Sequence, residues 1–244
     1  MSMHANGTTP AILFAGGQSL DAETIGSIIK PAFAKYGRPR VAYIGAANGD
    51  RASFFEMVRP LLLGAGAATV DFCRLAGDGA AAAGEVAEAK AFLDSADVVF
   101  LSGGEVEDGI NRIEKHGLAG TLRGLYNKGK LFIGISAGTI MLGEWWVRWE
   151  IEGDDSTASL FRCLGIVPAT FDTHAEDEDW VELKTALRLL AGRRDDGQPG
   201  GAASPRGYGL PRGGIISADG QGNLANLSKE YLTFIYENGD FTCV

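Results

Sequence analysis

Short apolar runs, each stopped by glycine, recur along the chain: Ala11-Ile-Leu-Phe-Ala-Gly-Gly17, Val41-Ala-Tyr-Ile-Gly45, Val98-Val-Phe-Leu-Ser-Gly-Gly104 and Leu131-Phe-Ile-Gly-Ile135. None alternates apolar with polar positions, so each predicts a strand buried on both faces. Segments of helical period lie between them, over Asp21 to Tyr36, Ser53 to Gly64, Glu85 to Ser95 and Gly109 to Asn127, and Ala68 to Leu75 reads as one further strand. Strand and helix in alternation imply right-handed crossovers, hence a mostly parallel sheet with helices on both faces.

Past Trp149 the pattern changes. An acidic stretch leads to a Cys163-Leu-Gly-Ile-Val-Pro168 turn, a helix over Asp179 to Ala191, and a polar Gly/Pro-rich loop from Gly192 to Arg206 that is a candidate lid or a disordered segment. Gly213 to Val244 reads as short strands joined by Asp219-Gly220 and Asn238-Gly239, both favourable hairpin turns. With no internal repeat and no long linker, the chain reads as a single three-layer α/β/α domain over residues 1–244. Residues 1–10 are expected to form a flexible tail, with short antiparallel strands at the C-terminal edge.

Charge and composition narrow the function. Twenty-two basic against 31 acidic side chains leave a net charge of −9, which argues against a nucleic-acid partner because little basic surface remains to neutralise phosphates. The 35 glycines of 244 residues are about twice the usual share and fit many strand-to-loop turns. No apolar run reaches the roughly eighteen residues of a membrane span, and Met1 to Pro10 lacks the features of a signal peptide, so a cytoplasmic protein without a membrane partner is expected. Cys73, Cys163 and Cys243 are an odd set without a CxxC pair, which fits reduced thiols. Gly64-Ala-Gly-Ala-Ala-Thr69 follows a helix and precedes a strand, the reverse of a dinucleotide loop. Neither a metal nor a cofactor is expected.

Gly134-Ile-Ser-Ala-Gly138 lies where a buried strand ends and a helix begins. That is the sequence form of a nucleophile elbow, with a serine on a sharp turn and glycines where a Cβ would clash. The Ala137 amide, at the start of that helix, can face an oxyanion, and the Gly103-Gly104 turn of the neighbouring strand can supply the second donor from Gly104. A serine needs a base. His4 lies in the tail, and His116 sits late in a helix before Gly117, where a cation suits the C-terminal dipole. His174, 38 residues beyond Ser136 at a strand end, remains as the base. A metal site of His174 with its neighbouring acids has no recognised ligand spacing. Gly103, Glu105, Trp145 and Arg148 are candidates to contact substrate, the tryptophan as a pocket wall and the arginine as partner to a carboxylate; alternatively, the indoles of Trp145, Trp146 and Trp149 pack a helix end into the core. Arg148, Arg162 and Arg212 are the cations available to draw in an anionic substrate.

These motifs in this order, Leu101-Ser-Gly-Gly104, Gly134-Ile-Ser-Ala-Gly138 and Asp172-Thr-His174, resemble the peptidase E and cyanophycinase family of serine peptidases over most of the chain. The resemblance implies a flavodoxin-like, class I glutamine-amidotransferase-like fold, a Ser136 nucleophile, a His174 base, an oxyanion hole from Gly104 and Ala137, a small peptide as substrate, and a possible homodimer. Many members carry an acid that orients the histidine in a Gly-Ile-Gly-Ile-Asp-Glu element. The matching stretch here is Gly207-Tyr-Gly-Leu-Pro-Arg212, with Arg212 at the acid position. In others the acid lies between serine and histidine, and Glu150, Glu152, Asp154, Asp155 and Asp172 are the candidates, Glu152 first among them. A non-catalytic binding module, or an esterase or amidase for small molecules, would use the same fold.

Overall fold

The structure, a computed structural model, describes residues 11–16, 21–75, 77, 79–151, 153–193 and 204–244. The predicted apolar runs are strands β1 (Ala11–Phe14), β2 (Arg40–Ile44), β3 (Thr69–Cys73), β4 (Val98–Leu101) and β5 (Leu131–Ile135), all parallel, in the order β1-β5-β4-β2-β3. Every residue of β1, β4 and β5 is buried, and successive side chains feed opposite layers, as the pleat requires. Phe14, Tyr43, Phe100 and Ile133 meet helices α1 (Ala22–Ala34) and α2 (Ala52–Gly64). Leu13, Ile44, Leu101 and Phe132 face the other layer, with α3 (Gly79–Ser95), α4 (Val106–Lys115), α5 (Ala119–Asn127) and α6 (Ala137–Leu142). The result is the expected three-layer α/β/α arrangement with a mostly parallel central sheet. Among the described residues no helix is long and apolar enough to cross a membrane.

Local chemistry sets the helix ends. Asp21 caps α1, its Oδ1 accepting from the Thr24 amide at 2.6 Å. The helix predicted over Gly109 to Asn127 is two helices, because Gly117 takes φ +66° and closes α4 with its amide on the Glu114 carbonyl at 2.9 Å. His116 at that end lies 2.9 Å from the Leu75 carbonyl through Nε2.

The second half departs further from expectation. The tryptophan-rich segment after α6 is a strand, β6 (Trp145–Trp149), paired antiparallel with β7 (Ala158–Arg162). β8 (Thr170–Thr173), α7 (Val181–Gly192) and β9 (Arg206–Leu210) follow, then β10 (Ile215–Ala218), β11 (Leu224–Asn226), β12 (Leu232–Glu237) and β13 (Asp240–Cys243). Only β10 and β11 form the antiparallel edge of the main sheet, against β1. β8, β9, β12 and β13 make a separate four-stranded sheet. Asn238-Gly239 is a two-residue hairpin turn with φ +54° and +91°. Asp219-Gly220 is not: Ala218 pairs with Leu224, and the Asp219 carboxylate holds the longer loop by accepting from the Gln221 and Asn223 amides at 2.8 and 2.9 Å.

Candidate active site

β1 and β5 are neighbours in the sheet, and the helices that follow them, α1 and α6, lie on opposite faces, which leaves at their carboxyl ends the crevice where such sheets usually place a site. Ser136 follows β5 directly, with φ +52° and ψ −121°, a conformation that L residues rarely adopt. Neighbouring groups enforce it. The Phe14 carbonyl accepts from the Ser136 amide at 3.0 Å and from Thr139 Oγ1 at 2.8 Å. The glycines around it have no room for a side chain: a Cβ on Gly138 would stand 2.2 Å from the Leu101 oxygen, one on Gly134 2.7 Å from the Gly138 oxygen, and one on Gly16 2.8 Å from the Ser136 Cβ.

The turn after β4 lies alongside. Gly104 has φ +141°, and a Cβ there would stand 2.2 Å from the Ala47 carbonyl oxygen. The segment Ala46–Asn48, a 3₁₀ turn after β2, holds this turn in place: Asn48 Nδ2 donates to Ser102 Oγ at 2.8 Å and the Glu105 amide donates to Ala47 at 2.8 Å. Asn48 is a positioning residue that no sequence motif singles out, although a nearly buried amide side chain, 9% exposed, at a strand end is the kind of group that needs such a partner.

His174 comes from the second sheet. It follows β8 with φ +47°, and its amide donates to the Leu210 carbonyl of β9 at 2.8 Å. Its Nε2 stands 2.9 Å from Ser136 Oγ. Gly104, Glu105, Ala137 and His174 line one cleft with Ser136, and Gly103 and Gly104 line another with it.

A model of Peptidase family S51 matches residues 11–190. The chain belongs to peptidase family S51. As an S51 member it also shares its fold with a peptidase from an acI-B1 Actinobacterium, at 15% identity and TM-score 0.64, covering 97% of this chain and 94% of that one. A peptidase E-like protein from Listeria monocytogenes EGD-e aligns at 14% identity and TM-score 0.57, over 91% of this chain and 99% of that one. No curated protein matches the sequence.

Several candidate residues of this S51 chain are placed elsewhere than expected. Glu152 lies outside the described residues, as does most of the loop considered as a lid. Glu150 is exposed. Asp154 accepts from the Ser156 amide and hydroxyl at 3.0 and 2.6 Å, and Asp155 from Trp149 Nε1 at 3.2 Å. Among the described candidates Asp172 alone lines the cleft with His174, but its Oδ1 accepts from the Thr173 amide at 2.7 Å. No hydrogen bond joins a carboxylate to His174 Nδ1 among the described residues. Trp145 lines neither of the two clefts that meet at Ser136; its indole meets the guanidinium groups of Arg162 and Arg193, 5.2 and 4.4 Å from the ring. β6 is a strand, so its next residue points the other way, and Trp146 lines the cleft with Nε1 donating to Glu182 Oε2 at 2.6 Å. Arg148 is paired with Glu107 at 3.1 Å. Arg212 binds the segment just after His174, its amide donating to Glu176 and its guanidinium to Asp177, each at 2.6 Å.

Electrostatics in the cleft are unusual. Burial, then the charge of Glu182, pushes the Asp172 carboxyl up from 3.8 to about 7, and burial also raises Glu182. Below pH 3.8 Asp172 is protonated in both folded and unfolded chains and adds no slope. Between there and about pH 7 the folded state keeps a proton that the unfolded chain has released, so this group erodes stability as pH rises, and the loss levels off above about 7. Urea unfolding of wild type and Asp172→Asn across this range should show the wild-type midpoint falling relative to the variant. Parallel curves would contradict the shift.

Proposed function

We propose that the protein is a serine peptidase in which Ser136 attacks the carbonyl carbon of a peptide bond. The observation that carries this reading is the 2.9 Å contact between Ser136 Oγ and His174 Nε2, within reach for a base to take the hydroxyl proton. The strand-to-helix turn makes Ser136 a nucleophile elbow. The Ala137 amide opens α6 and has no carbonyl to bond within the helix, and the Gly104 amide belongs to the adjoining turn. Both are suited to stabilise the tetrahedral oxyanion. As the intermediate collapses, the carbon–nitrogen bond breaks and the proton held on His174 passes to the leaving amine. Water, activated by the same imidazole, then hydrolyses the acyl ester on Ser136.

A fluorophosphonate probe tests this without knowledge of the substrate. One adduct is expected on the Ser136 peptide by mass spectrometry, and none on His174→Ala protein under the same conditions. Folded wild-type protein that reacts with neither the fluorophosphonate nor a small sulfonyl fluoride would refute the assignment and leave a binding module on a peptidase fold.

A further inference from the structure

Two clefts of opposite character meet at Ser136 and Gly104. The first, about 310 Å³, is walled on one side by Phe54, Met57, Val58 and Leu61 of α2. Those positions are spaced i, i+3, i+4 and i+7, an apolar stripe wider than the core requires: Val58 is buried, whereas Met57 is 56% exposed. The second, about 160 Å³, is lined by the carboxylates of Glu105, Asp172, Glu178 and Glu182 together with His174. Asp172 is only 3% exposed, and its Oδ2 has no hydrogen-bond partner among the described residues. Above about pH 7, where this carboxyl is ionised, a buried carboxylate left in this way favours a cationic visitor that supplies the missing donor. None of the arginines that could have favoured an anion lines either cleft: Arg148 is paired with Glu107, the Arg212 guanidinium with Asp177, and the Arg162 guanidinium lies over the Trp145 ring.

The chemistry assigns the two clefts to the two sides of the cut, a step that rests on the peptidase reading above. His174 must deliver a proton to the leaving amine, and His174 lines the acidic cleft and not the apolar one. The leaving fragment therefore occupies the acidic cleft, and the acyl fragment lies against α2. We propose that the enzyme cleaves peptides after an apolar residue, with a lysine or arginine immediately following the scissile bond. Ser136 Oγ bonds to the carbonyl carbon of the apolar residue, the basic residue departs with its α-nitrogen protonated through His174, and water releases the apolar acid.

Blocked peptides of the form acetyl-Ala-X-Z-Ala-amide test this, with X leucine or aspartate and Z lysine, alanine or glutamate. Cleavage is followed by mass spectrometry beside fluorophosphonate labelling of the same preparation. The Leu-Lys peptide should have the highest kcat/KM, with Leu-Glu and Asp-Lys each lower by about tenfold or more, since charge complementarity at a partly buried site dominates such ratios. Glu178→Gln should shrink the lysine-over-glutamate ratio several-fold. A preparation that labels on Ser136 but whose unlabelled enzyme cuts Leu-Glu or Asp-Lys as fast as Leu-Lys, or cuts none of the peptides, overturns the specificity and leaves the nucleophile standing. Folded protein that neither labels nor cleaves overturns the peptidase reading itself.

Discussion

Ser136→Ala, His174→Ala and the double variant should all fall to one common rate, about 10³-fold or more below wild type, instead of losing activity multiplicatively. Each member of a nucleophile–base pair is useless without the other, so removing the second costs little once the first is gone. The residual rate would come from the oxyanion donors and from binding. Neither substitution should unfold the protein. Ser136→Ala keeps the Cβ that packs beside Gly16, and it loses only the 2.9 Å contact to His174, a net term of about 1 kcal/mol or a shift of a few degrees in Tm. Steady-state hydrolysis of a cleaved peptide, with thermal melts of all four proteins, checks both parts. If the two single losses multiplied in the double variant, Ser136 and His174 would be acting independently and the pair would be wrong.

Gly104→Ala is expected to cost about 10² to 10³ in kcat and to destabilise the fold measurably. The added Cβ would lie 2.2 Å from the Ala47 oxygen, 2.4 Å from its carbon and 2.7 Å from the Asn48 nitrogen, at φ +141°. All three neighbours are backbone, so no rotamer change relieves the overlap. That backbone is also tied by Asn48 to Ser102 and by the Glu105 amide to Ala47. Relief must come from moving the turn that carries the Gly104 amide, which is the group proposed to face the oxyanion. Gly37→Ala is the matched control: φ is +74° there, but nothing lies within 4 Å of a Cβ. It should lose about 1 kcal/mol of stability and no activity. A Gly104→Ala enzyme with wild-type kcat would remove Gly104 from the oxyanion hole.

Much of the molecule is legible in its residues alone. Val98-Val-Phe-Leu and Leu131-Phe-Ile-Gly-Ile announce strands buried on both faces because only a sheet covered on both sides can use unbroken apolar runs. The Gly-x-Ser-x-Gly pattern at the strand-to-helix boundary marks Ser136, since backbone crowding of the kind found at Gly134 and Gly138 admits no Cβ. Counting histidines singles out His174. The α2 stripe of Phe54, Met57, Val58 and Leu61 is open to the same kind of reading, because apolar residues at helical spacing beyond those needed for the core are visible along the chain. Its proximity to Ser136 is not.

Local periodicity, together with residue types that few other conformations tolerate, is enough to specify the central sheet and its flanking helices, and to point to the serine and histidine that stand 2.9 Å apart. Everything else depends on contacts between distant segments. Which tryptophan of Trp145 and Trp146 faces the cleft turns on whether the segment is a helix or a strand, since a one-residue change of phase in a strand reverses the side chain. Whether the Arg148 and Arg212 guanidinium groups are free depends on Glu107 and Asp177, partners that lie 35 or more residues away along the chain. Likewise, the acidity of the cleft arises only where Glu105, Asp172, Glu178 and Glu182, drawn from β8, α7 and the segments that follow β4 and β8, are brought together. Charge acts through space, and chain distance carries no record of it.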